Sequence, residues 1–240
     1  MNMFGFGNNQ KVKNLHPITE EFEPNDYFGR LTQKDLEWST INSNFVTETQ
    51  TFYSILNNGQ CLSVQVIHSH VGFWNPQIQF NLMLYTPSNG KKLWKSIGVS
   101  NFSTPPNVNS NSNQKYDRRS CSSDQFSILF EQLPNKDEVY KISSKIDDEV
   151  QIIINFIRPS SCEGFKLGNG PNGGFTSFGN DKSSSKRDGF VVHRFWPRVR
   201  TEGQVIVNGV LVDAIGHGAF IHAIQGMRPN VRHHYYLNFY

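Results

Sequence analysis

Charge is scarce in this 240-residue chain. Asp, Glu, Lys and Arg together make up 18% of it, against roughly 25% in an ordinary soluble protein. From Thr49 to Gly90 there is none at all. The 23 basic and 20 acidic residues leave a net charge of +3, too small a footprint for nucleic acid to be expected as a partner. Cysteine is scarce too. Cys61, Cys121 and Cys162 are an odd number without metal-ligand spacing, which reads as reduced thiols in a cytoplasmic setting. No apolar run approaches the ~18 residues of a membrane-spanning helix. Met1–Gln10 has no basic region leading into an apolar one, so no secretory signal is legible. There is no Gly-x-Ser-x-Gly elbow, and carboxylates are too sparse among the apolar runs to nominate an acid/base pair. Neither a metal nor a cofactor is expected.

What remains is aromatic and alternating. Hydrophobic residues reach 37%, with 19 Phe and 8 Tyr, enough for a sizeable core. In Cys61–His70 the residues Leu62, Val64, Val66, His68 and His70 share one face. In Gln77–Tyr85, Ile78, Phe80, Leu82 and Leu84 oppose Gln77, Gln79 and Asn81. Shorter stripes are Phe126, Ile128 and Phe130, and Val150, Ile152, Ile154 and Phe156. Period two of this kind marks antiparallel strands with one buried face. Asn58-Gly59 and Asn208-Gly209 each read as a two-residue hairpin turn, the second pairing Val205 and Val207 with Val210 and Val212. The fold expected is all-β, an antiparallel barrel or strongly curved sandwich. One short helix is expected over Ala219–Met227, where Phe220, Ile224 and Met227 fall at helical spacing. Tyr235–Tyr240 reads as a strand. Residues 1–30 read as a poorly ordered leader and 31–240 as one β domain. Ser103–Ser123 and Lys166–Gly189, rich in Ser, Asn and Gly, read as loops.

Few residues suggest chemistry. His68 and His70, at i and i+2 on one strand face, could ligate a metal, but a hydrogen-bonded pair lining a barrel mouth suits a charge-free neighbourhood better. Gly168–Gly174 lacks the Lys-Ser/Thr or helix that a phosphate loop needs. Lys182, Lys186, Arg187, Arg194, Arg198 and Arg200, with Arg228 and Arg232 behind them, read first as a solvated surface. Anionic headgroups come second and single-stranded nucleic acid last.

His193 with Phe195-Trp196-Pro197-Arg198, and Ala223-Ile224-Gln225-Gly226-Met227-Arg228-Pro229, resemble blocks of the fungal survival factor family. Gln65-Val66-Ile67-His68-Ser69, Arg158-Pro159, Gly164-Phe165-Lys166-Leu167-Gly168, Phe178-Gly179 and Leu237-Asn238-Phe239 extend the resemblance over Leu36–Phe239. That family is built from two lipocalin-like halves, and this chain resembles the first. The resemblance implies a lipocalin-like barrel and an intracellular carrier of ceramide or a related sphingolipid in oxidative-stress survival. It also implies a cytoplasmic location, with the nucleus and transient peripheral contact at endoplasmic reticulum and Golgi membranes as further sites. On that reading a lipid is the partner, and Val64, Val66, Phe80, Leu82, Leu84, Ile152, Ile154 and Phe156 are candidates to line a lumen. They suit a filled core equally well. His68, His70 and Arg198 are candidate mouth donors. His193, Phe195, Trp196, Pro197, Gln225, Gly226, Met227 and Pro229 are expected to be structural. The alternatives are a hydratase or isomerase acting on an apolar lipid, with Asp213 or His193 as proton donor, and a ligand-free scaffold.

Overall fold

The computed structural model describes residues 14–17, 20, 22–41, 43–72, 75–105, 117–170, 173–179 and 187–228. The Tyr235–Tyr240 strand, Pro229, Lys182, Lys186 and Arg232 lie outside these. The strands are β1 (Leu15–Pro17), β2 (Phe28–Arg30), β3 (Val46–Leu56), β4 (Cys61–His70), β5 (Gln77–Thr86), β6 (Lys91–Gly98), β7 (Cys121–Ser122) and β8 (Phe126–Gln132). They continue as β9 (Glu138–Lys145), β10 (Val150–Arg158), β11 (Phe165–Leu167), β12 (Phe175–Phe178), β13 (Gly189–Val207), β14 (Val210–Asp213) and β15 (Gly216–Met227). The one α-helix among the described residues, α1, is Gln33–Leu36, and none there is long and apolar enough to cross a membrane.

All the strands join one antiparallel sheet with the main order β6-β5-β4-β3-β15-β13-β10-β9-β8-β7. The all-β barrel-type fold read from the alternation is thus present as a strongly curled sheet. The inward stripes drive the curl, because only by closing on itself can a single sheet bury one face. Phe52 on β3 meets Phe156 on β10 at 5.0 Å and Tyr140 on β9 at 5.3 Å between ring centroids. Phe80 on β5 stacks on Phe126 of β8 at 4.9 Å. No ladder joins β6 to β7; the seam is closed by other means. Ser103 bridges to Ser122, Asp124 N–H donates to the Ser100 carbonyl at 3.0 Å, and Lys95 pairs with Asp147 and Glu149 at 2.7 and 2.9 Å.

Four sequence expectations need correction. Ala219–Met227 is strand, not helix: it belongs to β15, which pairs with β13 and β3 along its length. Residues four apart share a face in a strand as well as in a helix, so Phe220 and Ile224 did not decide between the two periods. The residue between them, His222, also points inward and is buried. The Asn58-Gly59 turn is a four-residue loop between β3 and β4, with a positive φ at Gly59 alone. Asn208-Gly209 does form the two-residue turn, φ 50° and 77°, and it pairs Val205 with Val212 and Val207 with Val210. The Lys166–Gly189 stretch is not all loop, since β11 ends and β12 lies within it. Part of the leader joins the sheet as well, β1 against β12 and β2 against β11.

The 19-residue β13 organises the rest. Pro197 has no amide hydrogen to offer a ladder, and the register against β15 slips between Trp196 and Val199. On its first half β13 carries β11 and β12; beyond the slip it pairs with β10. Two glycines allow strands to meet closely here. Gly203 has φ +137°, and the Ile153 carbonyl occupies the place of its missing Cβ; at Gly218 the Tyr53 carbonyl does the same.

Candidate functional site

The even-numbered residues of β3, β4 and β5 and the alternating stripe of β10 face inward. Val64, Val66, Phe80, Leu82, Leu84, Ile152, Ile154 and Phe156 are all buried in one apolar cluster. Aromatic rings fill the space between them. Phe220 lies 4.7 Å from Phe52, 4.9 Å from Tyr140 and 5.2 Å from Trp196.

One end of this interior is polar and closed by a strap, residues 31–40. Thr32 caps α1 through Asp35, whose carboxylate accepts from the Thr32 N–H and hydroxyl, both at 2.8 Å. Leu36 and Trp38 are buried beneath it, Trp38 edge-on to Phe102 at 5.4 Å. At the strap's end Ser39 N–H donates to Glu48 at 3.1 Å, and Thr40 donates to it from N–H at 2.8 Å and hydroxyl at 2.7 Å. Glu48 is fully buried on β3 and also accepts from His222 Nε2 at 2.8 Å. His222 Nδ1 donates to the Asp35 carbonyl at 3.0 Å. Both partners of the ring are acceptors, a carboxylate on one side and a backbone carbonyl on the other. Burial alone would raise the Glu48 pKa; the bonds from His222 and Thr40 outweigh it and hold the carboxyl below its ordinary range. Asp35 is likewise lowered: bonds from Thr32 and Lys166 overcome burial, with Lys166 Nζ at 2.9 Å and Arg194 at 3.5 Å. The cluster is a set of mutually neutralised charges that ties the strap to β3, β15, β11 and β13.

The candidate mouth residues do not converge. His68 is buried beside Phe102 at 5.5 Å, and burial lowers its pKa. His70 is half-buried at the end of β4, and Arg198 is exposed at the β13 slip, with β15 and β3 between that strand and β4. The motif residues divide around that slip. Trp196 is buried in the core, Pro197 is exposed, and Gly226 is packed beneath the Phe190 ring, while Met227 is exposed. His193, Phe195 and Gln225 point to the outer face. Asp213, opposite Gln204 on β14, is far along the sheet from His193, opposite Ala223. The arginines disperse too: Arg187 lies over Phe175 and Phe190, Arg194 by Asp35, and Arg200 by Asp137. Among the described residues no group of three His, Cys, Asp or Glu side chains is placed to hold a metal.

The outer face carries what the alternation did not announce. A trough of about 770 Å³ runs over β4, β3, β15 and β13. Its floor is Thr47, Thr49 and Thr51 on β3 beside Ile221, Ala223 and Gln225 on β15. From Thr47 to Tyr53 the strand rise gives it a length of about 20 Å. Ile67 and Gln65 form one wall, and Val191, His193 and Phe195 the other. Phe195 is the inner end of an aromatic ladder, stacked on Phe165 at 5.1 Å, which in turn meets Phe28 at 5.6 Å. A smaller cleft of about 260 Å³ beside Trp196 holds Arg119 and Arg158. Both arginines are already committed, to Asp117 and Glu138 respectively.

The Svf1 family model matches residues 5–239. The chain belongs to the Svf1 family. It is 32% identical over 220 residues to ceramide-binding protein svf1 of Schizosaccharomyces pombe, covering 90% of this chain and 52% of that protein. It is 30% identical over 204 residues to the Aspergillus fumigatus protein of the same name, covering 85% and 46%. With ceramide-binding protein svf-1 of Neurospora crassa it is 32% identical over 217 residues, 90% and 51% of the two chains. The chain thus spans about half the length of the curated Svf1 relatives it matches. Among solved structures, a putative AttH from Nitrosomonas europaea superposes with a TM-score of 0.49 at 10% identity, over 85% of this chain and 57% of that one. Kievitone hydratase from Nectria haematococca gives 0.42 at 12%, over 93% and 55%.

Proposed function

We propose that this chain binds a ceramide-type sphingolipid and carries it unchanged. The observation that carries the reading is the match to relatives named for ceramide binding, which covers 90% and 85% of this chain. The physical setting agrees. Each buried methylene of a lipid chain contributes ~0.8 kcal/mol, so an uncharged recess is enough to draw one from a membrane. A neutral headgroup asks for hydroxyl and amide partners and no counter-ion. The eight interior stripe residues and the outer trough are the two places in which this domain offers such surroundings. The same reading puts the work in the cytoplasm, in transient contact with endoplasmic reticulum and Golgi membranes, and in survival of oxidative stress.

The test is transfer of a fluorescent ceramide between donor and acceptor vesicles by the purified chain. The expected result is faster transfer with ceramide recovered intact. Recovery of a hydrated or isomerised product would overturn the carrier reading in favour of an enzyme; transfer no faster than the protein-free rate would overturn it outright.

A further inference from the structure

We infer that the trough on the outer face of β4, β3, β15 and β13, and not the interior of the curled sheet, holds the ligand, and that it selects a neutral long-chain lipid bearing amide and hydroxyl groups. The inference rests on ceramide-type binding and assigns its place.

The centre of the interior is occupied by packed rings. Phe52, Tyr140, Phe156 and Phe220 meet at 4.7 to 5.3 Å across it, so a lipid chain entering there would have to displace packed rings. Such rearrangement of a close-packed core is costly. The trough needs no such opening. Its floor is lowest at its middle, where Thr49 on β3 lies directly opposite Ala223 on β15 in register, between the Thr47–Gln225 and Thr51–Ile221 pairs. Its walls are high because Ile67 on β4 and Phe195 on β13 flank that floor, Phe195 backed by Phe165. A strand-parallel slot about 20 Å long, with Ile67, Val191 and Phe195 at its sides, suits one extended hydrocarbon chain.

The charge pattern chooses the headgroup. Among the described residues no Asp, Glu, Lys or Arg lines the trough, whereas the cleft beside Trp196 carries several. A phosphate would be desolvated there without a cation, at high cost. Hydroxyl and amide groups find partners of their own kind. Thr51 Oγ1 already accepts from Gln65 Nε2 at 3.0 Å, and Thr49 and Gln225 bring a further hydroxyl and amide. These groups can exchange one another for a ligand's amide and hydroxyls with little change in polarity.

The experiment is photo-crosslinking of the whole chain with two vesicle-borne probes, a ceramide and a phosphatidylserine with the same diazirine-bearing acyl chain. Ceramide is expected to label peptides at the outward positions of Thr47–Tyr53 and at Ile67, Phe195 and Ile221–Ala223, with at least tenfold less labelling by phosphatidylserine. Ala223→Trp and, separately, Thr49→Phe should cut ceramide labelling at least tenfold while leaving the thermal unfolding midpoint in place. Ceramide labelling at Ile152, Ile154 and Phe156, untouched by both substitutions, would overturn the placement and leave ceramide binding standing. No ceramide labelling anywhere would overturn both. Substitutions that dissociate a dimer in sedimentation, with labelling unchanged, would make the trough an interface between copies and overturn it too.

Discussion

His222 and Glu48 show how a single residue pair holds a whole end of the molecule. Glu48 has the strap on one side, through Ser39 and Thr40, and His222 on the other. Removing Glu48 strips the buried His222 ring, Ser39 and Thr40 of their shared acceptor, so Glu48→Ala is expected to destabilise by roughly 3–5 kcal/mol in urea unfolding. His68 supplies a pH dependence. Its folded-state pKa lies below the ordinary 6.5 because burial disfavours the charged ring. Below that pH the unfolded chain binds the proton more readily, so stability is full above it and declines as pH falls through the folded value. His68→Phe, placed beside Phe102, should flatten stability between pH 7 and pH 5 in thermal scans; an unchanged slope would assign the dependence to other groups. None of this was legible in sequence. Glu48 stands just before the charge-free stretch that drew attention, and burial of a carboxylate depends on partners 174 residues away along the chain.

At the scale of elements, long alternating runs were read well because a strand's pattern is local. Cys61–His70 and the start at Gln77 match β4 and β5 to the residue. Reading failed where buried residues are polar. In β15 the inward set is Phe220, His222, Ile224 and Gly226, and a histidine and a glycine among the apolar residues disguise period two. Close strand approach explains the glycines of this element. Gly218→Ala would drive a methyl into the Tyr53 carbonyl of β3 and should cost roughly 1–3 kcal/mol, measured by denaturant midpoint. A neutral result would mean that β15 and β3 separate more easily than their register implies. The outer trough escaped the pattern for a related reason. Alternating Thr residues on β3 read as a solvent face, and only the neighbouring strands, placed by topology, turn that face into a slot.

At the scale of the molecule, the curled sheet, the strapped end and the family all follow from features spread over the chain. The motif residues Trp196, Pro197 and Gly226 were visible because they sit where β13 slips and packs against its neighbours, positions that tolerate few side chains. Because the chain matches about half the length of its ceramide-binding relatives, the proposed carrier function requires this one domain to hold the lipid by itself. Native mass spectrometry of the purified chain, mixed with vesicles containing ceramide and phosphatidylserine, tests it most directly. The expected spectrum shows the chain and a 1:1 ceramide complex, without a phosphatidylserine adduct. A chain that stays unliganded at saturating ceramide, or that takes both lipids alike, would contradict it.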